Sequence, residues 1–388
     1  MNKIQDIAFN YINSKKQEMI TLWEQLVNME SGTMNKENVD KVALFLKNFA
    51  ESMGAKAKIT EFSQAGNALV VEIGEPTNKP HVCFVGHYDT VFPYGTVAKR
   101  PFKIENGKAY GPGVLDMKAG IVIQLYVAKA LMEAGYNLRQ IKIILAGDEE
   151  SGHHNSEMPK VFEKQCQGAI AAINFETGDV SNALVIGRKG TAAYNFFVKG
   201  IAVHAGRDPE KGASAILEIA HKIIDIQELN DYKSGITYNV GKIKGGVTRN
   251  AVPDEAEIEI DIRVMDETQF DEVENKISKI AAKTYVKGTT TKYIRTIGIA
   301  PMKLIKENER LFELVSRVSE KLGFAKPHSI ISGGGSDSAY STKVGVPTID
   351  QMGVKGEWNH SDREYAVVDT LFERAKLAIA CVLELENF

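Results

Sequence analysis

The amino-acid sequence predicts an α/β protein built on a mostly parallel mixed sheet, into which a ferredoxin-like α+β domain is inserted. Two observations carry that prediction. In the first half of the chain and again near its end, short apolar runs alternate with helix-length amphipathic segments, the pattern of a sheet covered on both faces. Between about Gly190 and Ile299 the strands become one-sided, and Glu255–Val264 (EAEIEIDIRV) alternates strictly, placing Ala256, Ile258, Ile260, Ile262 and Val264 on one face.

Along the chain, Asn2 to Gly54 reads as two successive amphipathic helical patterns, the second stopped at Met53-Gly54, where glycine is the usual helix stop. Lys56–Phe62 and Ala68–Ile73 read as strands. Buried runs follow at Val82–Val85, Ile141–Ala146, Ile170–Phe175 and Val346–Gln351, with helices expected at Met117–Ala134, Met158–Gln165 and Leu311–Leu322. In the insertion, Thr191–Lys199 is a strand, Gly212–Gln227 a helix, Ile236–Lys244 and Glu255–Val264 strands, Glu267–Thr284 a helix and Thr290–Ile297 a strand. That order, βαββαβ, is the ferredoxin-like one. The domains are therefore expected at 1–189 with 301–388, and at 190–300.

Composition narrows the function by exclusion. The 388 residues are 44% hydrophobic and 25% charged, ordinary for a soluble globular protein. Against 50 Asp and Glu stand 47 Lys and Arg with no basic run to follow a phosphate backbone, so no nucleic-acid partner is expected. No segment approaches the ~20 apolar residues that span a bilayer, so no membrane association is expected either. Cys83, Cys166 and Cys381 lack CxxC spacing, which argues against a disulfide framework or a thiolate zinc site. They read as small core hydrophobes in a cytoplasmic protein.

The chemistry-bearing residues cluster immediately after the apolar runs, where ligand sites of open α/β sheets form. Gly86-His87-Tyr88-Asp89-Thr90 follows HVCFV; there His87 is a metal-ligand candidate and Asp89 a carboxylate that orients its ring. Asp148-Glu149-Glu150-Ser151-Gly152 follows IKIILAG, Glu176-Thr177-Gly178 follows AIAAINF, and Asn359-His360-Ser361 lies a few residues beyond VPTIDQM. Asp116, in GPGVLDMKAG, precedes a strong helix whose N-terminus tolerates carboxylates. Two histidines and several carboxylates on one sheet edge suit zinc, cobalt or manganese, and the number of carboxylates fits two ions better than one. Which adjacent glutamate would be ligand and which base is open at this level.

With these motifs in place, the sequence resembles the co-catalytic di-zinc peptidases, a family that includes glutamate carboxypeptidase, acetylornithine deacetylase, succinyl-diaminopimelate desuccinylase, aminoacylase and tripeptidase T. The resemblance covers nearly the whole chain and is carried by GHYDTVFP (86–93), GPGVLDMKAG (111–120), GDEESG (147–152), NFETG (174–178), HAG (204–206) and NHSDRE (359–364). It implies a zinc-exopeptidase type of catalytic domain with an inserted lid and dimerisation domain. It also implies that Asp116 bridges two Zn2+ ions, with His87 and Glu176 completing one site and Glu150 and His360 the other. Co2+ or Mn2+ would be substitutes. Glu149 would be the general base, and a cis peptide is implied at Asp116-Met117. His204 would stabilise the oxyanion, a residue that in dimeric relatives comes from the partner subunit. Asn250 and Arg263 match lid residues that hold a substrate carboxylate, and the glycine turn SGGGSDS (332–338), with Gly334 and Gly335, matches the lining of the substrate pocket.

The resemblance thus implies a homodimeric metallohydrolase that cleaves a peptide or amide bond beside a free carboxylate, closest in pattern to glutamate carboxypeptidase. An N-acyl amino-acid deacylase or a di- or tripeptidase is the alternative on the same scaffold. A non-catalytic relative would be expected to have lost a ligand or the base, and all six positions are intact. Pro112 and Ala119 stand where Arg and Gly are common, and Trp358-Asn359 where small residues are usual, changes that bear on substrate preference. Arg263 shares its face with Glu257, Glu259 and Asp261 and also reads as a paired surface residue. The glycine turn lacks the GK[ST] ending of a phosphate loop, and no GxSxG or HExxH is present. His81, His153, His154, His221 and His328 read as structural or surface residues, with His153-His154 conspicuous beside the acidic cluster.

Overall fold

The computed structural model describes residues 3–388. Three helices open the chain instead of the two expected: α1 (Lys3–Ser14), α2 (Lys16–Val27) and α3 (Lys36–Ser52). The first pattern breaks at Lys15 (φ −103°, ψ 8°), so that Ala8 and Ile12 of α1 and Leu22, Trp23 and Leu26 of α2 are buried from separately oriented helices. Asn35 caps α3 through the Asn38 amide at 3.2 Å. Gly54 follows its end at φ 88°, the left-handed region that glycine enters without steric cost.

The remaining principal elements are β1 (Lys56–Thr60), β2 (Gly66–Ile73), β3 (Val82–His87), α4 (Ala119–Glu133), β4 (Ile141–Gly147), α5 (Met158–Cys166), β5 (Ala171–Asn174), β6 (Gly190–Lys199), α6 (Ala215–Gln227), β7 (Thr237–Gly245), β8 (Glu255–Val264), α7 (Gln269–Ala282), β9 (Thr290–Ile297), α8 (Lys306–Lys321), β10 (Thr348–Ile349) and α9 (Asp369–Glu384). The central sheet runs β1-β2-β4-β3-β5-β10. Its β4-β3-β5-β10 part is parallel, and β1 and β2 complete it antiparallel. Strands β3 and β5 are buried along their whole length, which is why they read as unbroken apolar runs. Five strands of two or three residues form a second small sheet, Lys103–Glu105, Lys108–Tyr110, Tyr365–Val367, Lys355–Glu357 and Gly178–Asp179, too short to show a periodicity in sequence.

By internal contacts the chain divides into two units. One comprises the residues up to Gly187, Leu304–Ile331 and Ser336–Phe388; the other comprises Arg188–Lys303 and Ser332–Gly335. In the second unit the antiparallel sheet runs β7-β8-β6-β9, the ferredoxin-like order, and the alternate residues of β6 and β8 pack with α6 and α7 into their own core. Ser332–Gly335 of the glycine turn group with this unit, while Ser336–Ser338 stay with the flanking sequence in which the whole turn was expected. Arg188 and Lys189 link to the turn: Arg188 Nη1 donates to Ser332 Oγ and to the carbonyls of Gly334 and Gly335 at 3.3–3.4 Å, and Lys189 N donates to Ser332 O at 2.9 Å. The three cysteines are free and buried. No helix of the described residues is long and apolar enough to cross a membrane.

Candidate metal centre

Five segments of the first unit bring their polar residues to one place. His87 is the last residue of β3, Glu149 and Glu150 open the short helical turn after β4, and Glu176 stands two residues beyond β5. Asp116 sits in the turn before α4, where its peptide bond to Met117 is cis. His360 lies in a loop whose Trp358 and His360 both have positive φ, 67° and 60°, a sharply turned backbone that L-residues seldom adopt. The His87 Nε2 atom is 3.2 Å from Asp116 Oδ1 and 3.2 Å from Glu176 Oε1. The His360 Nε2 atom is 3.1 Å from Asp116 Oδ2 and 3.2 Å from Glu150 Oε2. Asp116 therefore turns one oxygen to each imidazole and divides the donors into two halves.

These groups are held from behind. Asp89 offers its backbone carbonyl to His87 Nδ1 at 3.1 Å and a carboxylate oxygen at 3.3 Å. The same carboxylate accepts from the amides of Glu149 (3.2 Å) and Glu150 (3.1 Å), so it fixes ring and turn together. Glu364, fully buried, accepts from the amides of Gly113, Leu115 and Asp116 and sets the Asp116 turn; only its place in the NHSDRE motif marked it in the sequence. Asn359 Nδ2 donates to Asp116 Oδ2 at 3.1 Å. At Gly120 an added Cβ would lie 2.1 Å from the Phe175 carbonyl oxygen, so glycine is required for α4 to pass the chain next to Glu176.

The electrostatics are those of a site built for cations. Burial opposes a charge on His87, yet the carboxylates of Glu176, Asp116 and Asp89 drive its imidazole well above the ordinary range. Hydrogen bonds to Asp116 and Glu150 push His360 up to about 11. Burial would raise Asp116, but His360 and His87 hold it below the usual carboxylate range. Burial pushes Glu150 up to about 7, with the Asp116 charge adding to it, and holds Glu149 well above its ordinary value. The donor set fits divalent metal. His87, Asp116 and Glu150 offer ligand atoms within 4.8 Å of one another, and Glu150 Oε1 is buried without a hydrogen-bond partner among the described residues. A tetrahedral ion with bonds of ~2.0–2.1 Å has ligand-to-ligand edges of about 3.3 Å, close to the nitrogen–oxygen spacings found here.

The other expected site residues lie in the second unit. His204 is exposed and its segment bridges to Ala251, with Ala205 N donating to Asn250 O at 2.9 Å. The Asn250 side chain accepts from Thr248 Oγ1 at 2.8 Å. Arg263 donates to Asp261 at 2.8 Å and to the Gly333 carbonyl at 3.2 Å, so both its surface pairing and the glycine turn engage it. Of the histidines read as structural, His81 meets the Gln165 carbonyl, His221 stacks on Tyr285, and His154 and His328 are exposed. His153 is buried and meets two aspartates, Asp148 and Asp337.

Comparison with known proteins supplies the class. Residues 83–384 match peptidase family M20/M25/M40. Carboxypeptidase G2 of Pseudomonas sp. (strain RS-16) is 27% identical over 99% of this chain and 93% of its own. A tripeptidase structure from Staphylococcus aureus subsp. aureus Mu50 aligns over 96% of this chain and 99% of its own, with a TM-score of 0.81 at 24% identity. A Bacillus subtilis structure described as a dinuclear metal binding peptidase from the M20 family aligns over 97% of this chain and 99% of its own, with a TM-score of 0.69 at 15% identity. With the match spanning most of its length, the chain belongs to peptidase family M20/M25/M40 and is a metallohydrolase.

Proposed function

We propose that this metallohydrolase cleaves a peptide or amide bond adjacent to a free carboxylate, in the manner of a carboxypeptidase, with two zinc ions per chain. The observation that carries the reading is the division of donors by Asp116, one oxygen toward His87 and the other toward His360. His87 and Glu176 would hold one ion, Glu150 and His360 the other, and Asp116 both. Bound there, the ions supply Lewis acidity to the scissile carbonyl and acidify water. Glu149 takes the proton of the attacking water and returns it to the leaving amine. Its burial, which holds the carboxyl above its usual range, favours the protonated form that it must take up and then give away.

The two units take the parts of catalytic domain and lid. His204 would donate to the developing oxyanion, in cis or from a partner subunit, and Asn250, Arg263, Gly334 and Gly335 would receive the substrate carboxylate. The functional assembly is a homodimer through the lid, working in the cytoplasm. Carboxypeptidase G2, 27% identical, favours the carboxypeptidase reading over deacylase or tripeptidase action. The test is metal analysis beside turnover: Glu149→Gln keeps about two zinc ions per chain and loses hydrolysis. Hydrolysis retained by that variant refutes the base assignment. Rates on N-acyl glutamates, N-acetyl amino acids, dipeptides and tripeptides rank the substrate classes.

A further inference from the structure

Directly behind the turn that carries Glu149 and Glu150, His153 Nδ1 lies 2.8 Å from Asp148 Oδ1 and its Nε2 lies 2.7 Å from Asp337 Oδ1. All three side chains are sealed from solvent. The ring is walled by Phe162 and Tyr340, at centroid distances of 6.3 and 5.6 Å. An ionised carboxylate only accepts hydrogen bonds, so both contacts are made when each ring nitrogen donates, or when one proton sits on a carboxyl instead. Either arrangement leaves the trio with two shared protons and one net negative charge.

The backbone closes the same loop. His153 N donates to the Asp148 carbonyl at 3.2 Å and Gly152 N to the Glu149 carbonyl at 2.7 Å, with Gly152 at φ 70° and His153 at φ 58°. A side chain bulkier than glycine is held in this conformation by the two carboxylates it reaches. On the other side of the turn, Asp89 accepts from the amides of Glu149 and Glu150. The turn is thus gripped twice: through Asp89, which also meets His87, and through His153, which ties it to Asp337 at the start of helix Ser338–Lys343.

We propose that His153 is a positioning residue for hydrolysis, which with Asp148 and Asp337 fixes the turn so that the Glu149 carboxyl meets water and leaving amine in one orientation. The inference rests on Glu149 being the base. It is specific to the pairing of His153 with Asp337 across the fold, and it separates this histidine from the metal ligands, none of which it touches among the contacts described.

The test uses the full chain, zinc-loaded, with N-benzoyl-glutamate and triglycine as probes. Misplacing a catalytic group by about 1 Å lowers turnover on the order of 100-fold, so His153→Gln is expected to lower kcat about 10- to 100-fold. KM should change less than about two-fold and bound zinc stay near two per chain if the role is positioning. Asp337→Asn should act in the same direction, and the double variant should lose no more than the worse single one, because both cut one link. In the metal-free protein, slowly exchanging imidazole N–H proton resonances from His153 should be present and should shift or vanish in Asp337→Asn. Unchanged kcat in folded His153→Gln, multiplicative losses in the double variant, or absence of the protected protons overturns the inference. If His153→Gln fails to fold, Asp337→Asn, nearly unchanged in volume, reads the same link. A His153→Gln loss that persists undiminished in the Glu149→Gln background also overturns it. Full turnover by Glu149→Gln alone overturns instead the reading on which it rests.

Discussion

Replacing Glu364 by alanine would take a buried carboxylate away from three backbone amides at once. Glu364 Oε1 accepts from Leu115 N at 2.9 Å and Asp116 N at 3.0 Å, and Oε2 accepts from Gly113 N at 3.0 Å. Each buried amide left without a partner costs about 1–3 kcal/mol, a gross loss of about 3–9 kcal/mol for three. Removal of a charge from a buried position returns about 2–3 kcal/mol of desolvation, so from the middle of that range, about 6 kcal/mol, the net destabilisation expected is on the order of 3–4 kcal/mol. Glu364→Gln keeps one oxygen for Leu115 and Asp116 but turns an NH2 toward the Gly113 amide, and should cost about 1–3 kcal/mol. Urea unfolding of the metal-free protein measures both without the contribution of bound ions. A parallel zinc titration should show weakened binding, because the turn carrying Asp116 is no longer set. An alanine variant within about 1 kcal/mol of the parent, or a glutamine variant as damaged as alanine, would refute the reasoning.

Three further outcomes are expected. On the proposed two-zinc reading, Asp116→Ala should lose both ions while Glu176→Ala retains about one per chain by elemental analysis, since among the described residues Asp116 alone meets both His87 and His360; equal loss in the two variants would refute the division into halves. Burial opposes the charge on His153, but Asp337 and Asp148 raise it to about 10, above the ~6.5 of an unfolded histidine. Its contribution is therefore full below about pH 6.5 and is lost as pH rises through about 10, an upper bound on the order of 5 kcal/mol read as the stability gap between parent and His153→Gln; a gap that does not vary with pH would contradict it. Trp358 is half exposed, two residues before His360, with the Arg363 guanidinium 3.9 Å from its ring centroid. Trp358→Gly should shift relative kcat/KM toward bulkier amides by about 10-fold, and an unchanged ranking across the substrate panel would refute a role in the pocket.

Much of the fold was legible because its signals are local. Alternation in β8 and the continuous apolar runs of β3 and β5 are relations among chain neighbours, and each strand type follows from whether one or both faces are buried. The break at Lys15 was not legible, since α1 and α2 share one uninterrupted helical pattern and separate only where each packs on the core. The short strands of the second small sheet were equally silent, being held by partners rather than by their own periodicity.

The same division holds at the metal centre. Residue type and position made His87, Glu149, Glu150 and Glu176 candidates near the ends of apolar runs, Asp116 one before a helix and His360 one in a late loop, and the family motifs joined them into one expected set. Which oxygen meets which ring required the folded chain. Asp116 faces His87 from 29 residues away and takes its backbone support from Glu364, 248 residues away. His153 finds Asp337 across 184 residues, and Arg188 finds the Gly334 carbonyl across 146. Periodicity records how a residue relates to its neighbours along the chain. Hydrogen bonds between distant segments depend on close packing that no short window of sequence contains.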